Sequence, residues 1–156
     1  IGFGVSVWGG GGRAECEVDV RIGRDGSVSV LSGTQDLGTG TRTYVGAIVA
    51  EVLGLEPSAV HVRIGDSRLG RANGSGGSTT TASLAPAVYD AARNARAALA
   101  DRLAGELGAE SEQLAFARGE VRAGARALAW RDACAVLGPD GLSARGVWKP
   151  GLSGNG

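Results

Sequence analysis

Polar and apolar residues alternate along several short stretches of the chain. In residues 15–22 every second side chain is apolar and all of the others are charged, which is typical of a strand with one face in water. The turn sequence Asp25-Gly26 follows, and alternation resumes at Val28 and continues to Ser32. An Asp-Gly turn between two such stretches favours a β-hairpin. We therefore predict an antiparallel hairpin over this segment.

Two further stretches show the same period of two residues. Residues 3–8 alternate before a run of glycines, and residues 60–64 alternate before Gly65-Asp66. Each pattern predicts a strand. His61, the single histidine, falls on the polar side of the second strand, where we expect it to be exposed to solvent rather than catalytic.

Apolar residues recur with a helical period in two other segments. In residues 41–53 they occupy one face, and Gly54 is suited to the C-terminal end of a helix. Residues 81–107 are rich in alanine and carry a longer apolar stripe, which predicts a long helix packed closely on a sheet. The stripe consists of Leu84, Val88, Ala92, Ala95, Leu99 and Leu103.

The pattern is weaker in the last third of the chain. Residues 114–122 are typical of a small hairpin, residues 131–137 fit a short helix, and residues 139–156 are predicted to be an exit loop. The order of elements predicts an α+β domain of two layers. In it, a mixed β-sheet that contains the antiparallel hairpin is covered by helices on one face. We predict a single domain over residues 1–156.

Composition limits the class of function. The 156 residues include 16 basic and 16 acidic side chains, so the balanced charge predicts neither a nucleic acid partner nor a membrane partner. One histidine, and two cysteines outside any C-x-x-C spacing, predict neither a metal site made by the protein nor a disulfide framework. The chain starts at Ile1, and we expect it to be a fragment of a larger subunit.

Glycine, serine and threonine are concentrated in two segments that each join a predicted strand to a predicted helix. Residues 33–43 read GTQDLGTGTRT, and residues 73–81 read NGSGGSTTT. The first N–H groups of a helix have no partner within the helix and attract anions. Two such segments suggest one extended phosphorylated ligand, with Arg42 and Arg71 as candidate charged contacts.

Neither segment carries the motif of a common nucleotide-binding or hydrolytic class. Residues 38–43 end in Thr43, where the dinucleotide fingerprint G-x-G-x-x-G requires its third glycine. The chain also lacks the P-loop sequence and the G-x-S-x-G motif of α/β-hydrolases. Ser78 has no histidine or lysine nearby in the sequence that would activate it as a nucleophile. The motifs therefore predict no catalytic residue.

An ordered set of motifs does resemble one known family. Residues 33–43, 50–55 and 74–83, with Gly65-Asp66-Ser67 and Ala87-Val88, are similar to the molybdopterin-binding large subunit of the xanthine dehydrogenase and aldehyde oxidase family. The similarity is nearest to bacterial aldehyde or isoquinoline oxidoreductases, in which Gly-Thr-Gly replaces Gly-Gln-Gly. It implies an inner fragment of a molybdenum hydroxylase. Such an oxidoreductase converts a C–H bond of an aldehyde or N-heterocycle to C–OH with oxygen from water.

The resemblance also implies the cofactors, the partners and the site. Molybdenum would be held by molybdopterin, with the cytosine dinucleotide as one form of the cofactor. Electrons would pass to 2Fe-2S clusters and FAD on iron–sulfur and FAD subunits of the same complex. The implied cofactor-binding residues are Gln35, Gly38, Thr39 and Gly40 in the first segment and Gly76, Gly77, Ser78, Thr79 and Thr80 in the second.

The glutamate that serves as the base in this family has no counterpart in the chain, so we expect the fragment itself to be inactive. We expect a cytoplasmic location, with the periplasm as the alternative. Two other interpretations stay open. One is a non-catalytic phosphate- or nucleotide-binding module, and the other is a structural or interaction domain whose glycine-rich segments are surface turns.

Overall fold

The predicted hairpin is present. The computed structural model describes residues 1–6 and 10–151 of the chain. Strands β1 (Cys16–Ile22) and β2 (Val28–Ser32) pair antiparallel, which confirms the prediction. The turn between them includes Gly26 at φ +86°, a backbone conformation that a side chain with a Cβ adopts only at a cost.

Two more strands complete a four-stranded sheet. β3 (Val60–Ile64) lies parallel to β2, and β7 (Leu142–Trp148) lies antiparallel to β1, in the order β3-β2-β1-β7. The predicted mixed sheet is confirmed. The predicted exit loop over residues 139–156 is wrong where β7 pairs with β1. The small residues Ala144 and Gly146 weaken the alternation of this strand, because their inward positions carry little apolar surface.

Both long helices lie on one face of this sheet. α1 (Thr41–Leu53) has the predicted bounds and ends at Gly54, which adopts φ +68°. α2 (Thr80–Leu107) starts one residue before its predicted start and packs mainly on β1 and β7. Burial of its apolar stripe removes a large area from water and stabilises the two layers. The stripe residues, all fully buried, are Leu84, Val88, Ala92, Ala95, Leu99 and Leu103.

A second, three-stranded antiparallel sheet follows α2. β4 (Ala115–Ala117) and β5 (Glu120–Ala123) form the predicted hairpin, and β6 (Arg126–Ala129), which was not predicted, pairs with β5. α3 (Trp130–Cys134) is shorter than the helix predicted for this region. Its first residue donates from the indole Nε1 to the carbonyl oxygen of Gly26 at 2.7 Å. This bond ties the second sheet to the β1–β2 turn.

The predicted N-terminal strand is wrong where the structure describes it. Residues 3–6 have no regular secondary structure, and Phe3 is 93% exposed. Val7 and Trp8 of that prediction lie outside the described residues. Alternation produces a strand only where a neighbouring strand is available to pair.

The exposed position predicted for His61 on β3 is confirmed. Among the helices that the structure describes, none combines the length and the hydropathy needed to cross a bilayer.

An ion pair joins β1 and β7 on the sheet face that is turned away from the helices. Arg145 donates from Nε to Asp19 Oδ1 at 2.8 Å and from Nη2 to Oδ2 at 3.0 Å. This hydrogen bonding lowers the pKa of Asp19 below its ordinary value of 3.8. The stabilisation is therefore complete above that value, and it is lost as the pH falls through the lower pKa of the folded state.

We expect Asp19→Asn to lower the thermal midpoint at neutral pH by a few degrees, because a partly exposed ion pair contributes about 0.5–1 kcal/mol. The difference from the wild type should shrink once the pH is below 3.8, the ordinary pKa. Glu120→Gln is the control, because its partner Arg122 is 57% exposed and only two residues away. Thermal unfolding measured from neutral to acidic pH gives the midpoints of the variant, the control and the wild type. A difference that stays constant at low pH would contradict the assignment.

Candidate functional site

The two glycine-rich segments leave the main sheet at the same edge. β2 and β3 are parallel, with Ser32 opposite Ile64, so their carboxyl ends lie side by side. The first loop (residues 33–40) runs from β2 to α1, and the second loop (residues 65–79) runs from β3 to α2. Ligands of open α/β sheets bind at the carboxyl ends of parallel strands. This edge is therefore the candidate site.

Main-chain hydrogen bonds hold the second loop against the strands. The N–H of Gly33 donates to the carbonyl oxygen of Gly70 at 3.2 Å, and the N–H of Glu17 donates to that of Arg71 at 2.7 Å. The second loop thus lies beside the start of the first loop and the start of β1. The two segments singled out from the sequence form one continuous region.

The first loop is organised around the carboxylate of Asp36. Oδ1 accepts the N–H groups of Gly38 at 2.9 Å and Thr39 at 3.0 Å, and Oδ2 accepts the N–H of Arg42 at 3.0 Å. These hydrogen bonds hold the pKa of Asp36 below its ordinary value, and the bond from the backbone N–H of Arg42 has the largest effect. These N–H groups have no partner within α1, as predicted, but the loop supplies its own anion, because the carboxylate of Asp36 accepts them.

The two arginines proposed as ligand contacts differ in their surroundings. Arg42 turns toward β3, where Nη1 lies 3.3 Å from the carbonyl oxygen of Val62 and Nη2 lies 3.4 Å from that of Ile64. The side chain of Arg71 is 78% exposed, and its Nη1 lies 4.0 Å from Glu15. Arg42 therefore braces α1 against β3, and Arg71 is the more accessible cation.

The hydroxyl groups of the second loop bond within the loop. Thr79 Oγ1 lies 2.9 Å from the carbonyl oxygen of Gly76 and 3.2 Å from that of Gly74, and it is buried. The hydroxyls of Ser75 and Thr80 are 2.9 Å apart. Thr79, the N-cap of α2, makes no side-chain cap bond to the helix. The hydroxyls shape the loop, and this cap leaves the first N–H groups of α2 available.

Several predicted site glycines face open space. A Cβ built on Gly38, Gly40, Gly76 or Gly77 meets no atom of the described residues, 1–6 and 10–151, within 4 Å. Gly77 and the exposed Ser78 adopt φ +62° and +56°, so the loop turns through two successive left-handed residues. Bare main chain beside open space allows a ligand to approach the backbone closely.

The remaining predicted residues lie within the same loops. Gln35 is partly buried in the first loop, between Thr34 and Asp36, and Thr39 is exposed near its tip. Gly38, Thr39 and Gly40 thus form one group, and residues 76–80 form the other. The structure brings both groups to the same edge of the sheet.

Among the residues that the structure describes, four polar side-chain atoms around the loops are buried without a hydrogen-bond partner, and the sequence patterns did not identify them. They are Thr34 Oγ1, Tyr44 OH, Asn73 Nδ2 and Ser83 Oγ. Such groups destabilise a fold by about 1–3 kcal/mol each unless another molecule satisfies them. Their concentration on and beside the two loops is consistent with a polar ligand.

Tyr44 marks where α1 and α2 begin side by side. Burial raises its pKa, while the nearby hydroxyls of Thr81 and Thr41 lower it in part, although no hydrogen bond of good geometry forms. Beside it, Cys16 Sγ accepts the N–H of Asn73 at 3.3 Å, and burial raises the pKa of this thiol. The sequence signal that could have found Tyr44 is a hydroxyl in the first turn of a helix that follows a glycine-rich loop.

A surface groove of about 480 Å³ lies away from this edge, beside α2. It is lined by charged residues of both signs, among them Arg96, whose guanidinium lies 4.9 Å from the ring centre of Phe116 and donates to the carbonyl oxygen of Leu114 at 3.3 Å. Arg96 is therefore engaged within the protein. Across the described ranges, no three histidine, cysteine, aspartate or glutamate side chains come together as metal ligands.

Comparison with known proteins identifies relatives of the chain. A family model described as the molybdopterin cofactor-binding domain matches residues 1–156. The aldehyde oxidoreductase molybdenum-binding subunit PaoC of Escherichia coli K12 is 32% identical over 116 residues, which are 74% of this chain and 15% of PaoC. A nicotinate dehydrogenase subunit of Pseudomonas putida is 37% identical over 110 residues, 69% of this chain and 9% of that protein.

Solved structures share the fold. Quinoline 2-oxidoreductase from Pseudomonas putida 86 matches 88% of this chain and 19% of its own, with a TM-score of 0.78 and 22% identity. CO dehydrogenase from Oligotropha carboxidovorans matches 87% of this chain and 18% of its own, with a TM-score of 0.75 and 23% identity. The chain thus spans less than a fifth of each relative, and the structural matches support the α+β fold.

Proposed function

The chain belongs to the molybdopterin cofactor-binding domain family, and from this we propose that it forms one cofactor-binding lobe of a molybdenum hydroxylase that oxidises aldehydes or N-heterocycles with oxygen from water. One observation carries the proposal. The bare main chain of both loops faces open space where two parallel strands end. The name of PaoC supports an aldehyde substrate, and the name of nicotinate dehydrogenase supports an N-heterocycle.

The residues of the edge fit such a cofactor. Gly38, Gly40, Gly76 and Gly77 leave room for a flat ring system to approach the backbone, and the unpartnered Tyr44 hydroxyl adds a polar group beside it. When bound, the cofactor supplies two-electron oxidation at molybdenum. The residues of the chain bind and orient it.

Individual side chains contribute in different ways. Ser78 is exposed and free to contact the cofactor directly, whereas Thr79 and Thr80 maintain the shape of the second loop through their bonds within it. Thr39 stands where many members of the family carry glutamine. A side-chain amide contact is therefore not part of the proposal.

We also propose the surroundings of this lobe. Both relatives are named as subunits, which supports an assembly of several different chains. We propose that 2Fe-2S clusters and FAD lie on partner subunits, and that the cofactor has the cytosine dinucleotide form. We propose a cytoplasmic location, with the periplasm as the alternative. Both cysteines are free thiols, the state that the cytoplasm maintains.

Elemental analysis of the full-length complex tests the function. We expect one molybdenum per copy of this domain and dye reduction that depends on an aldehyde or N-heterocycle. The purified 156-residue fragment should reduce no dye, because the family's catalytic glutamate lies outside it. A full-length complex without molybdenum would favour the phosphate- or nucleotide-binding module instead. Dye reduction by the fragment alone would contradict its assignment as an inactive lobe.

A further inference from the structure

We propose that Arg42 is a positioning residue that sets the separation of the first loop and the second loop. The inference rests on the proposed function, because a cofactor bound by both loops needs them at a fixed distance. Arg42 lies in the first turn of α1, just after the first loop, and its side chain reaches the strand that leads into the second loop. In this assignment it acts through the backbone of β3 rather than by contact with the cofactor.

The main chain of Arg42 takes part in the hydrogen bonds that hold the first loop. Its N–H donates to Asp36 Oδ2 at 3.0 Å. The other oxygen of the same carboxylate accepts the N–H groups of Gly38 and Thr39. The start of α1 and the tip of the first loop are therefore held as one unit. Only the backbone N–H of Arg42 contributes to this unit, so a change of its side chain leaves the unit intact.

The side chain of Arg42 joins this unit to β3. Its Nη1 donates to the carbonyl oxygen of Val62 at 3.3 Å, and its Nη2 donates to that of Ile64 at 3.4 Å. A planar guanidinium has donors on both terminal nitrogens, so it can hold two oxygens at once. Ile64 is the last residue of β3 and directly precedes the second loop. This bridge therefore fixes the point where the second loop begins.

Other hydrogen bonds secure the second loop only farther along. The N–H of Gly33 donates to the carbonyl oxygen of Gly70, and the N–H of Glu17 donates to that of the next residue. Both points lie well after the end of β3. Within residues 1–6 and 10–151, the only hydrogen bonds between α1 and β3 are the two of the Arg42 side chain.

Apolar packing alone would not fix how α1 lies on β3. The two elements approach closely at Gly46, where a Cβ would lie 3.3 Å from Val62 Cγ2. Such a contact is non-directional, so it brings the elements together without setting their position along each other. Hydrogen bonds from one guanidinium to two backbone oxygens set both distance and direction.

The separation of the loops matters for binding because the glycines of both face open space, so the loops must be held in place by their connections to the sheet and helices. A ligand that spans two loops binds more weakly when it must also order them, since part of the binding free energy is used for the ordering. Arg42 avoids this loss by holding α1 against β3 before the ligand arrives.

Hydrogen exchange measured by mass spectrometry on the full-length, cofactor-free subunit tests the bridge. In Arg42→Ala we expect a peptide covering residues 60–69 to exchange roughly fivefold faster, because the end of β3 opens more often without the bridge. A peptide covering residues 36–41 should be unchanged, since Asp36 still accepts the N–H groups of Gly38 and Thr39. Arg42→Lys keeps the charge but reaches one carbonyl oxygen at a time, so its exchange should fall between the wild type and Arg42→Ala.

The molybdenum content of the full-length complex tests the positioning role. We expect Arg42→Ala to retain roughly fivefold less molybdenum than the wild type, because its loops must be ordered on binding. Arg42→Lys should restore part of the loss. The thermal midpoint of the cofactor-free subunit should stay near the wild-type value in both variants. A general loss of stability would lower that midpoint as well, so the two measurements separate positioning from folding.

The matched control is Arg102→Ala. Arg102 Nη1 also donates to a backbone carbonyl oxygen, that of Ala98 at 3.2 Å, but both residues lie within α2. Its loss should leave the exchange of residues 60–69 and the molybdenum content unchanged. A peptide covering residues 84–92 of α2 reports whether each variant is folded. Should Arg42→Ala unfold, Arg42→Lys still decides the question.

Two results would overturn the inference. One is exchange of residues 60–69 at the wild-type rate in both Arg42 variants. The other is faster exchange with wild-type molybdenum content, since the bridge would then not set the separation that the cofactor needs. Failure of the proposed function would look different. The wild-type complex itself would contain no molybdenum, while residues 60–69 of Arg42→Ala would still exchange faster.

Discussion

Gly146→Ala is expected to destabilise the domain severely. Gly146 lies in the middle of β7, directly beneath α2. A Cβ at this position would overlap Ala91 N and Ala87 O and lie 2.8 Å from Ala91 Cα. These are backbone atoms of a helix and cannot rotate away as a flexible side chain can. We expect a loss of about 3 kcal/mol or more, at the upper end of the range for overpacked cores.

Gly105→Ala is the matched control, because it adds the same methyl group to α2 itself. A Cβ there meets no atom within 4 Å, and the residue is exposed. Alanine in a helix interior should stabilise the domain by about 0.5–1 kcal/mol relative to glycine. Thermal midpoints and soluble yields of the two full-length variants are the measurements. Equal midpoints would mean that α2 and β7 are farther apart than the structure places them.

This close contact also explains which elements the sequence could predict. β1 and β2 were evident because each buries branched side chains at alternate positions and the Asp25-Gly26 turn joins them. β7 was missed because a helix packed directly on a strand requires small residues, and small residues carry little periodic signal. Its pairing with β1 joins distant parts of the chain, and local patterns do not encode such pairing.

The candidate site was likewise predicted in part from the sequence and missed in part. Loop composition identified both glycine-rich segments, because glycine and hydroxyl residues before a helix have a recognisable function. The role of Asp36 was not evident, since sequence alone does not say which carboxylate folds back onto the N–H groups of α1. The carboxylate of Asp36 nevertheless accepts the N–H groups of the residues two and three positions later, Gly38 and Thr39. This is a local capping pattern, and it can be sought in related sequences.

The buried polar atoms could not be found from patterns at all. Ser83 lies in the first turns of an alanine-rich helix and is fully buried, although serine is usually exposed. Whether its hydroxyl has a partner depends on side chains brought together only by the fold. Within the described part of the chain, Ser83 Oγ has no hydrogen-bond partner of good geometry. This is a property of packing, and it becomes visible only in three dimensions.

Valine at Gly40 or Gly77 is expected to remove molybdenum from the full-length enzyme. Both glycines have positive φ, +81° and +62°, and both face open space, so the added side chain would enter the volume assigned to the cofactor. We expect a roughly tenfold or greater loss of bound molybdenum, because a clash of about 1.4 kcal/mol already weakens binding tenfold. Mass spectrometric metal analysis of each purified variant gives the content.

Gly124→Val separates this effect from backbone strain. Gly124 has φ +57° and open space around it, but it lies in the β5–β6 turn, so valine there carries a similar strain of about 1–2 kcal/mol without approaching either loop. Its molybdenum content should match the wild type. Full molybdenum in both Gly40→Val and Gly77→Val would contradict the placement of the cofactor at this edge. An equal loss in all three would attribute the effect to folding, because only the two loop glycines share the edge where β2 and β3 end.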